Sequence, residues 1–167
     1  HELSIILHCL SDFERISDHA VTLVNSSSEM FEKKQEFSKK AKEELTIFTQ
    51  AVKDIVEVSF DVFEKEDVTK AMLVEPLEEV IDGLLKKAKR HHIKRVQAGD
   101  CTLELGFVFN DTLYNLERTA DHCSNIAIAV VEAAKGTYEP HEYLKNVKYD
   151  NKEDFEKLYR QYRNRYN

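Results

Sequence analysis

Carboxylate pairs spaced four residues apart are the side chains of this sequence best suited to chemistry. On a helix, positions four apart lie on one face, about 5–6 Å apart at Cβ, so two like charges repel unless a cation lies between them. The Glu-x-x-x-Asp form of this spacing occurs four times, at Glu14/Asp18, Glu57/Asp61, Glu78/Asp82 and Glu117/Asp121. Because the chain has 31 acidic residues, a single pair is an ordinary solvated helix face, and position and repetition decide which pairs matter.

The four pairs differ in their position relative to the apolar stripe of their helix. At about 100° per residue, the first, third and fourth pairs lie beside the stripe, whereas Glu57 and Asp61 lie near the opposite pole. A neighbouring helix can therefore bring two flanking pairs together, and hard or borderline metal ions prefer such oxygen ligands. The acidic residues that we expect to complete the site are Glu75, Glu79 and Asp111.

Basic side chains beside the pairs offer other ways to offset the charge. A guanidinium can neutralise a carboxylate without metal, but Arg15 and Arg118 lie at about 200° from the stripe. We therefore predict that they point away from the acidic residues, and we favour a metal. His19 and His122, near about 240°, are predicted to contact neighbouring helices rather than to ligate a metal directly.

A shift of 103 residues superimposes the first pair on the last. The stretches "DFERISDHA" and "NLERTADHC" then align, with the same E-R-x-x-D-H pattern in both. Such a repeat indicates a duplicated three-helix unit. On that division the last three long helices form a complete unit, and the first helix is the final third of another.

Composition and periodicity indicate which elements position these residues. Four Gly and two Pro in 167 residues favour a few long helices over a β fold. Apolar residues at intervals of three and four predict helices from residue 3 to the low thirties, from Ser38 to about 64, from 69 to 97, and from about 103 to Gly136. We therefore predict an all-α antiparallel bundle of long helices with a short C-terminal amphipathic helix.

Local signals mark the helix ends and the predicted divisions. We expect Ser38 to cap the second helix, and Asp100 to be available as the cap of the fourth. Pro76 should kink the third helix or start a new segment. The predicted divisions are the last helix of a first repeat at 1–36, a complete second repeat at 37–136, and a tail at 137–167.

Charge and missing motifs exclude several classes of protein. A net charge of −7 argues against nucleic acid as the main partner, and no apolar run reaches the roughly 18 residues of a membrane span. There is no nucleophile–base arrangement, no Gly-rich phosphate loop and no C-x-x-C pair, so we predict that the chain is not an enzyme. An iron-dependent oxidase is disfavoured because the Glu-x-x-His motif of ferritin-like bundles is missing. The three cysteines indicate a reducing compartment.

One segment, "KKAKRHHIKR" at 86–95, is strongly basic although the chain as a whole has a net negative charge. Basic residues are favoured near a helix C-terminus by the helix dipole, and this is our main explanation of the run. The alternative is that these residues attract anionic lipid headgroups or phosphate. In the tail, Arg160, Arg163 and Arg165 leave partner binding open.

The two repeated stretches resemble the signature helices of the PhoU family, whose members repeat an E(D)-x-x-x-D motif in two three-helix units. The segment from Val74 to Cys101 is similar to the helix that precedes the second motif. The tail is similar to the end of bacterial sodium/phosphate cotransporters, which carry a cytoplasmic PhoU-like domain after their membrane helices. A sequence that starts at His1 without Met would fit a piece of such a protein.

The resemblance implies regulation of phosphate uptake and signalling rather than catalysis. Some members hold iron or zinc clusters on the paired motifs. Carried over, Glu14 and Asp18 would serve one metal site, and the pairs Glu117/Asp121 and Glu78/Asp82 would serve the other. The implied partner is a phosphate transporter, either the membrane part of the same chain or a separate protein, on the cytoplasmic side of the membrane. A homodimer is a further option, and the alternative function is a metal-free helical interaction module.

Some positions depart from the family pattern. Thr119 replaces a branched aliphatic residue, Thr22 stands where the second motif has Asn125, and Pro76 is unexpected. The first unit lacks its first two helices in this sequence. We therefore expect its half-site to be empty or completed by another subunit.

Overall fold

The chain is described from a computed structural model, which places residues 2–136 and 151–166. Within those ranges every regular element is an α-helix and there is no β-strand. The helices are α1 (Glu2–Glu32), α2 (Lys39–Lys65), α3 (Val68–Ala71), α4 (Val74–Gln97), α5 (Leu103–Lys135) and α6 (Lys152–Arg165). The predicted all-α bundle with a short C-terminal helix is confirmed.

The helix ends show which local signals acted. The Ser38 side chain accepts a hydrogen bond from the Ala41 backbone N–H at 3.3 Å, which confirms it as the cap of α2. The expectation for Asp100 is wrong, because Thr102 caps α5 by accepting from the Leu105 N–H at 3.2 Å. Thr102 directly precedes the first helical residue, whereas Asp100 lies two positions earlier in the turn.

The third predicted helix is divided in two. A short helix, α3, begins after Asp67, whose side chain accepts from the Lys70 N–H at 2.9 Å. The long helix α4 begins at Val74 and has Pro76 in its first turn, where a missing backbone N–H removes no intrahelical bond. Pro76 therefore belongs to the start of a new segment, one of the two predicted outcomes.

Helix α5 lies at the centre of the bundle and packs against α1, α2, α3 and α4, while α6 packs against α4. The largest side chains of the core come from three helices and are at most 1% exposed: Phe48, Ile55, Leu77, Ile81, Phe109, Leu113 and Ile126. At the C-terminal end, Tyr166 is buried and its hydroxyl donates to the Asp54 carboxylate. Burial of these apolar surfaces holds the helices that carry the acidic pairs in fixed positions.

The outer face of α1 is apolar and exposed. Under the 103-residue shift, Ile6 and Leu10 of α1 align with Phe109 and Leu113 of α5. The two α5 residues are 1% and 0% exposed because α2 and α4 cover that side, whereas Ile6 and Leu10 are 48% and 60% exposed. We define the outer face of α1 by its exposed apolar residues Leu3, Ile6, Leu7, Leu10, Val21 and Val24. An exposed apolar patch of this kind is typical of an interaction surface.

None of the helices in the described ranges combines the length and hydropathy that a bilayer span requires.

Candidate functional site

Three carboxylates from two helices form what we call the acid edge: Asp82 on α4, and Glu117 and Asp121 on α5. All three side chains are half-buried. Burial raises the pKa of the Glu117 carboxyl above its ordinary value, and the charges of Asp121 and Asp82 add to the rise. Burial also raises the pKa of Asp121, and Asp82 contributes in the same direction. The edge therefore concentrates negative charge from both helices where water is partly excluded.

The chain also supplies cations to this edge. Arg118 donates to the Asp121 carboxylate at 2.5 Å, and Lys86 donates to Asp82 at 2.6 Å. Both cations oppose part of the charge, as does Lys89, which lowers the pKa of Glu117. The prediction that Arg118 points away from the acidic residues is wrong. Its long, flexible side chain reaches along the helix to a carboxylate three residues later, which the angle of its Cα does not reveal.

The further acidic residues predicted for the site lie in different environments. Glu75 is 5% exposed and accepts a hydrogen bond from the Ser124 hydroxyl at 2.9 Å, so it links α4 to α5 inside the bundle. Glu78 and Glu79 are half-buried on α4. Asp111 is exposed on α5, at a cleft that α5 shares with the second half of α1.

The remaining two Glu-x-x-x-Asp pairs lie outside the acid edge. Glu14 and Asp18 are exposed on α1. That their half-site is empty or completed by another subunit stays a prediction. Glu57 is exposed as predicted, but Asp61 is only 21% exposed at its side chain and pairs with Lys65 and Lys70. Asp61 therefore ties α2 to the α3 segment, because that turn of the chain brings Lys70 back beside α2.

The donor chemistry of the acid edge suits a hard or borderline cation, since it consists of carboxylate oxygens. Across residues 2–136 and 151–166, however, no three His, Cys, Asp or Glu side chains converge into a ready set of metal ligands. A cation at the edge would have to displace Arg118 from Asp121 and Lys86 from Asp82. The edge is thus a charged seam between two helices rather than a preformed metal cage.

The two repeated histidines lie at the contact between α1 and α5. His19 Nδ1 and Asn115 Oδ1 are 2.8 Å apart, and His122 Nδ1 and Asp12 Oδ1 are 2.7 Å apart. The two imidazole rings stack with centroids 5.7 Å apart. This geometry confirms the predicted helix-contact role of both histidines.

The same contact shows that the duplicated sequence forms a reciprocal structure, which we call the histidine seam (Asp12, His19, Asn115 and His122). Each histidine bonds the residue seven positions before the other histidine, and the 103-residue shift pairs Asp12 with Asn115. Helical angles and motifs do not identify Asp12 and Asn115 as partners of the histidines. The alignment itself contained the signal, because both positions carry an amide or carboxylate oxygen.

The basic run separates into two groups. Lys86 and Lys89 serve the acid edge, whereas His91, Lys94 and Arg95 lie at the opposite end of α4. There, Glu44 of α2 accepts from Arg95 at 2.8 Å and also contacts His91. The Arg95 guanidinium lies 4.9 Å from the centre of the Phe109 ring. These contacts join the end of α4 to the start of α2.

Comparison with known proteins connects this arrangement to a family. The family model described as "PhoU domain" matches residues 45–130. Over 131 residues the chain is 30% identical to the "Phosphate-specific transport system accessory protein PhoU homolog 1" of Thermotoga maritima. That alignment covers 78% of this chain and 56% of the relative, so the chain spans about half the length of the curated relative it matches. No solved structure matches the chain.

Proposed function

The chain belongs to the PhoU family, and from that premise we propose that it is a regulatory domain of phosphate transport rather than an enzyme. The name of its relative describes an accessory protein of a phosphate-specific transport system, which supports this role. The domain would act on a phosphate transporter and change its activity in response to phosphate supply. The sequence feature that favours this reading is the second copy of the repeated acidic motif, Glu117 and Asp121, which lies within the residues that the family model matches.

The transporter partner in this proposal is the membrane part of the same protein or a separate subunit, on the cytoplasmic side of the membrane. The likeness of the tail to sodium/phosphate cotransporters supports the first option. Crosslinking in cells that express the full-length gene product, followed by identification of the crosslinked membrane segments, tests it. Crosslinks to a phosphate transporter would support the proposal, and crosslinks confined to proteins unrelated to phosphate would contradict it.

We further propose that the acid edge binds a cation, with iron and zinc as candidates. Partial burial of carboxylates from both α4 and α5 at one place is the observation that supports this step. Asp82, Glu117 and Asp121 would hold the ion, and Glu78 and Glu79 lie on the same helix as Asp82. When bound, the cation supplies positive charge that offsets the carboxylates and links the two helices.

A thermal unfolding experiment tests whether the acid edge binds a cation. Zn²⁺ or Fe²⁺ should raise the melting temperature of the intact chain, since a ligand that binds only the folded state stabilises it. The variant E117Q/D121N should lose that response. The variant E43Q/E57Q removes the same charge from exposed positions on α2 and should keep it. If neither metal shifts the melting temperature of the unmodified chain, the proposal that the acid edge binds a cation is wrong.

A metal-free interaction module is the second candidate, and the bonds from Arg118 and Lys86 to the acid edge favour it. In that case the edge needs no ion and presents its carboxylates to a basic partner. Capture of the transporter should then persist in a chelator, weaken with added salt, and fall in E117Q/D121N. Capture that requires added metal would reject this alternative.

The outer face of α1 supports a third part of the proposal, that the first repeat is completed by further helices. Those helices would come from another copy of the chain or from a longer form of the protein, and they would also flank Glu14 and Asp18. Sedimentation equilibrium distinguishes the two sources. A dimer that L10E disrupts would support a second copy, whereas a monomer at all concentrations would exclude that source.

A further inference from the structure

We propose that the groove between the start of α2 and the end of α4 binds a phosphate-type oxyanion. The groove has a volume of about 740 Å³, and its positive side chains come from both helices. We call it the basic groove and define it by Lys39, Lys40, His91, Lys94 and Arg95. It shares no residue with the acid edge, and the inference does not depend on the regulatory or cation proposals.

The start of α2 carries positive charge that no acidic residue of its first turn offsets. The first backbone N–H groups of a helix have no intrahelical partner and carry the positive end of the helix dipole. Helices usually place acidic residues there, but the first turn of α2 has none. Lys39 and Lys40 follow the Ser38 cap instead, which adds positive charge to the positive end. A bound anion would compensate both lysines and the backbone groups together.

Arg95, at the end of α4, brings a fixed guanidinium to the basic groove. Its guanidinium is fixed by the bond from Nη1 to Glu44 and by its position over the Phe109 ring. The side chain is about nine-tenths buried, with 11% exposed. Its other terminal nitrogen, Nη2, is buried and has no hydrogen-bond partner among the described residues. Arg95 lines the groove, and its guanidinium is held in place there with one terminal nitrogen unbonded.

The positive side chains of the basic groove outnumber its acidic ones. Within the described ranges, Lys39, Lys40 and Lys94 take part in no ion pair, in contrast to Lys86 and Arg118 at the acid edge. The only acidic side chains that line the groove among the described residues are Glu44, already bonded to Arg95 and His91, and Asp100. The C-terminal dipole of α4 accounts for Lys94 and Arg95, but it does not account for lysines at the start of α2.

These donors define the chemistry of the ligand. Ammonium groups, a guanidinium and helix N-terminal N–H groups together are typical of sites for phosphate oxygens. Inorganic phosphate and the phosphate of an anionic lipid headgroup share this chemistry. The ligand class of the basic groove is therefore a phosphate-type oxyanion, and separate arms of one experiment identify its source.

The experiment measures inorganic phosphate binding by isothermal titration calorimetry at constant ionic strength, balanced with chloride. The variants are K39Q/K40Q and K94Q, with K53Q/K157Q as a control that removes two exposed charges outside the groove. One charge at contact distance in water is worth about a fivefold change in affinity. K39Q/K40Q should therefore bind phosphate roughly 25-fold more weakly, K94Q about fivefold more weakly, and the control like the unmodified chain.

A parallel arm measures cosedimentation with vesicles of phosphatidylcholine alone and of phosphatidylcholine with phosphatidylglycerol. Binding to the anionic vesicles without measurable phosphate binding, again lost in K39Q/K40Q, would support the basic groove with a lipid headgroup as its source. Absence of both kinds of binding would overturn the inference. Equal weakening in K53Q/K157Q would overturn it too, because the effect would then reflect net charge. The variant E117Q/D121N should bind phosphate normally, which separates this result from any failure of the cation proposal.

Discussion

Replacement of Asp12 by alanine is the sharpest test of the histidine seam. The Asp12 carboxylate accepts from His122 Nδ1 at 2.7 Å and from the Asn125 side chain at 3.1 Å. The side chains of Asp12 and His122 are 17% and 11% exposed, so water cannot freely replace the lost acceptor. Asp12→Ala therefore leaves a largely buried donor without its partner.

The magnitude follows from these contacts. A hydrogen bond to a charged group contributes about 1.5–3 kcal/mol, and an unsatisfied buried donor costs about 1–3 kcal/mol. Because part of the site can still admit water, we expect a loss of about 2 kcal/mol in the free energy of unfolding. For a chain of this length that loss corresponds to a fall of roughly 4–8 °C in melting temperature.

Two control variants make the measurement decisive. Asp18→Ala removes an exposed carboxylate from the same helix and should change stability by less than about 0.5 kcal/mol. Asp12→Asn keeps an oxygen acceptor and copies the residue that the repeat carries at Asn115, so it should cost less than about 1 kcal/mol. Urea unfolding followed by circular dichroism gives all three values. Equal effects of Asp12→Ala and Asp18→Ala would show that the Asp12 carboxylate does not stabilise the α1–α5 contact. An Asp12→Asn variant as unstable as Asp12→Ala would show the same.

Two further predictions concern a helix cap and the thiols. Thr102→Ala should lower the free energy of unfolding by about 1 kcal/mol and Asp100→Ala by much less, measured by urea unfolding, and the reverse order would contradict the cap assignment. Burial raises the pKa of Cys9 to about 11 and that of Cys123 to about 12, so both remain thiols at pH 8. A thiol reagent should therefore modify Cys101 first, and all three only after unfolding. Fast labelling of Cys123 in the folded chain would show that the core is not packed as described.

The helices themselves were predictable because their signals are local. Apolar spacing, the Ser38 cap and Gly136, which ends α5 with a φ of 70°, act within one or two turns of the chain. The cap of α5 was misassigned because Asp and Thr are both good capping residues. Which of them caps depends on the residue at which the turn becomes helical, and periodicity fixes that point only within a few residues.

The positions of the acid-edge side chains relative to the core were predictable, but their contacts were not. Helical angles placed Asp82, Glu117 and Asp121 beside the core, and the structure places all three in the seam between α4 and α5. The bond from Arg118 to Asp121 could not be predicted from these angles, because a long side chain reaches well beyond the direction of its Cα–Cβ bond. The burial of Glu75 against Ser124 depends likewise on how two distant segments pack.

The duplicated sequence carried more tertiary information than any single motif. It aligned His19 with His122 and Asp12 with Asn115, and these are the residues that bond across the α1–α5 contact. An antiparallel pair of related helices places equivalent residues around a local two-fold axis, so each half supplies the partner of the other. The sequence could not show that Ile6 and Leu10 of α1 are exposed while their α5 equivalents Phe109 and Leu113 are buried, because exposure depends on which helices cover each face.

Elemental analysis is the measurement that tests the proposed cation site at the acid edge of this PhoU-family chain. The intact chain is incubated with Zn²⁺ or Fe²⁺, freed of unbound metal by gel filtration and measured by mass spectrometry of its metal content. We predict retained metal in the unmodified chain and in E43Q/E57Q, and its loss in E117Q/D121N. Metal-free protein in every case, or equal metal in the unmodified chain and in E117Q/D121N, would contradict the claim.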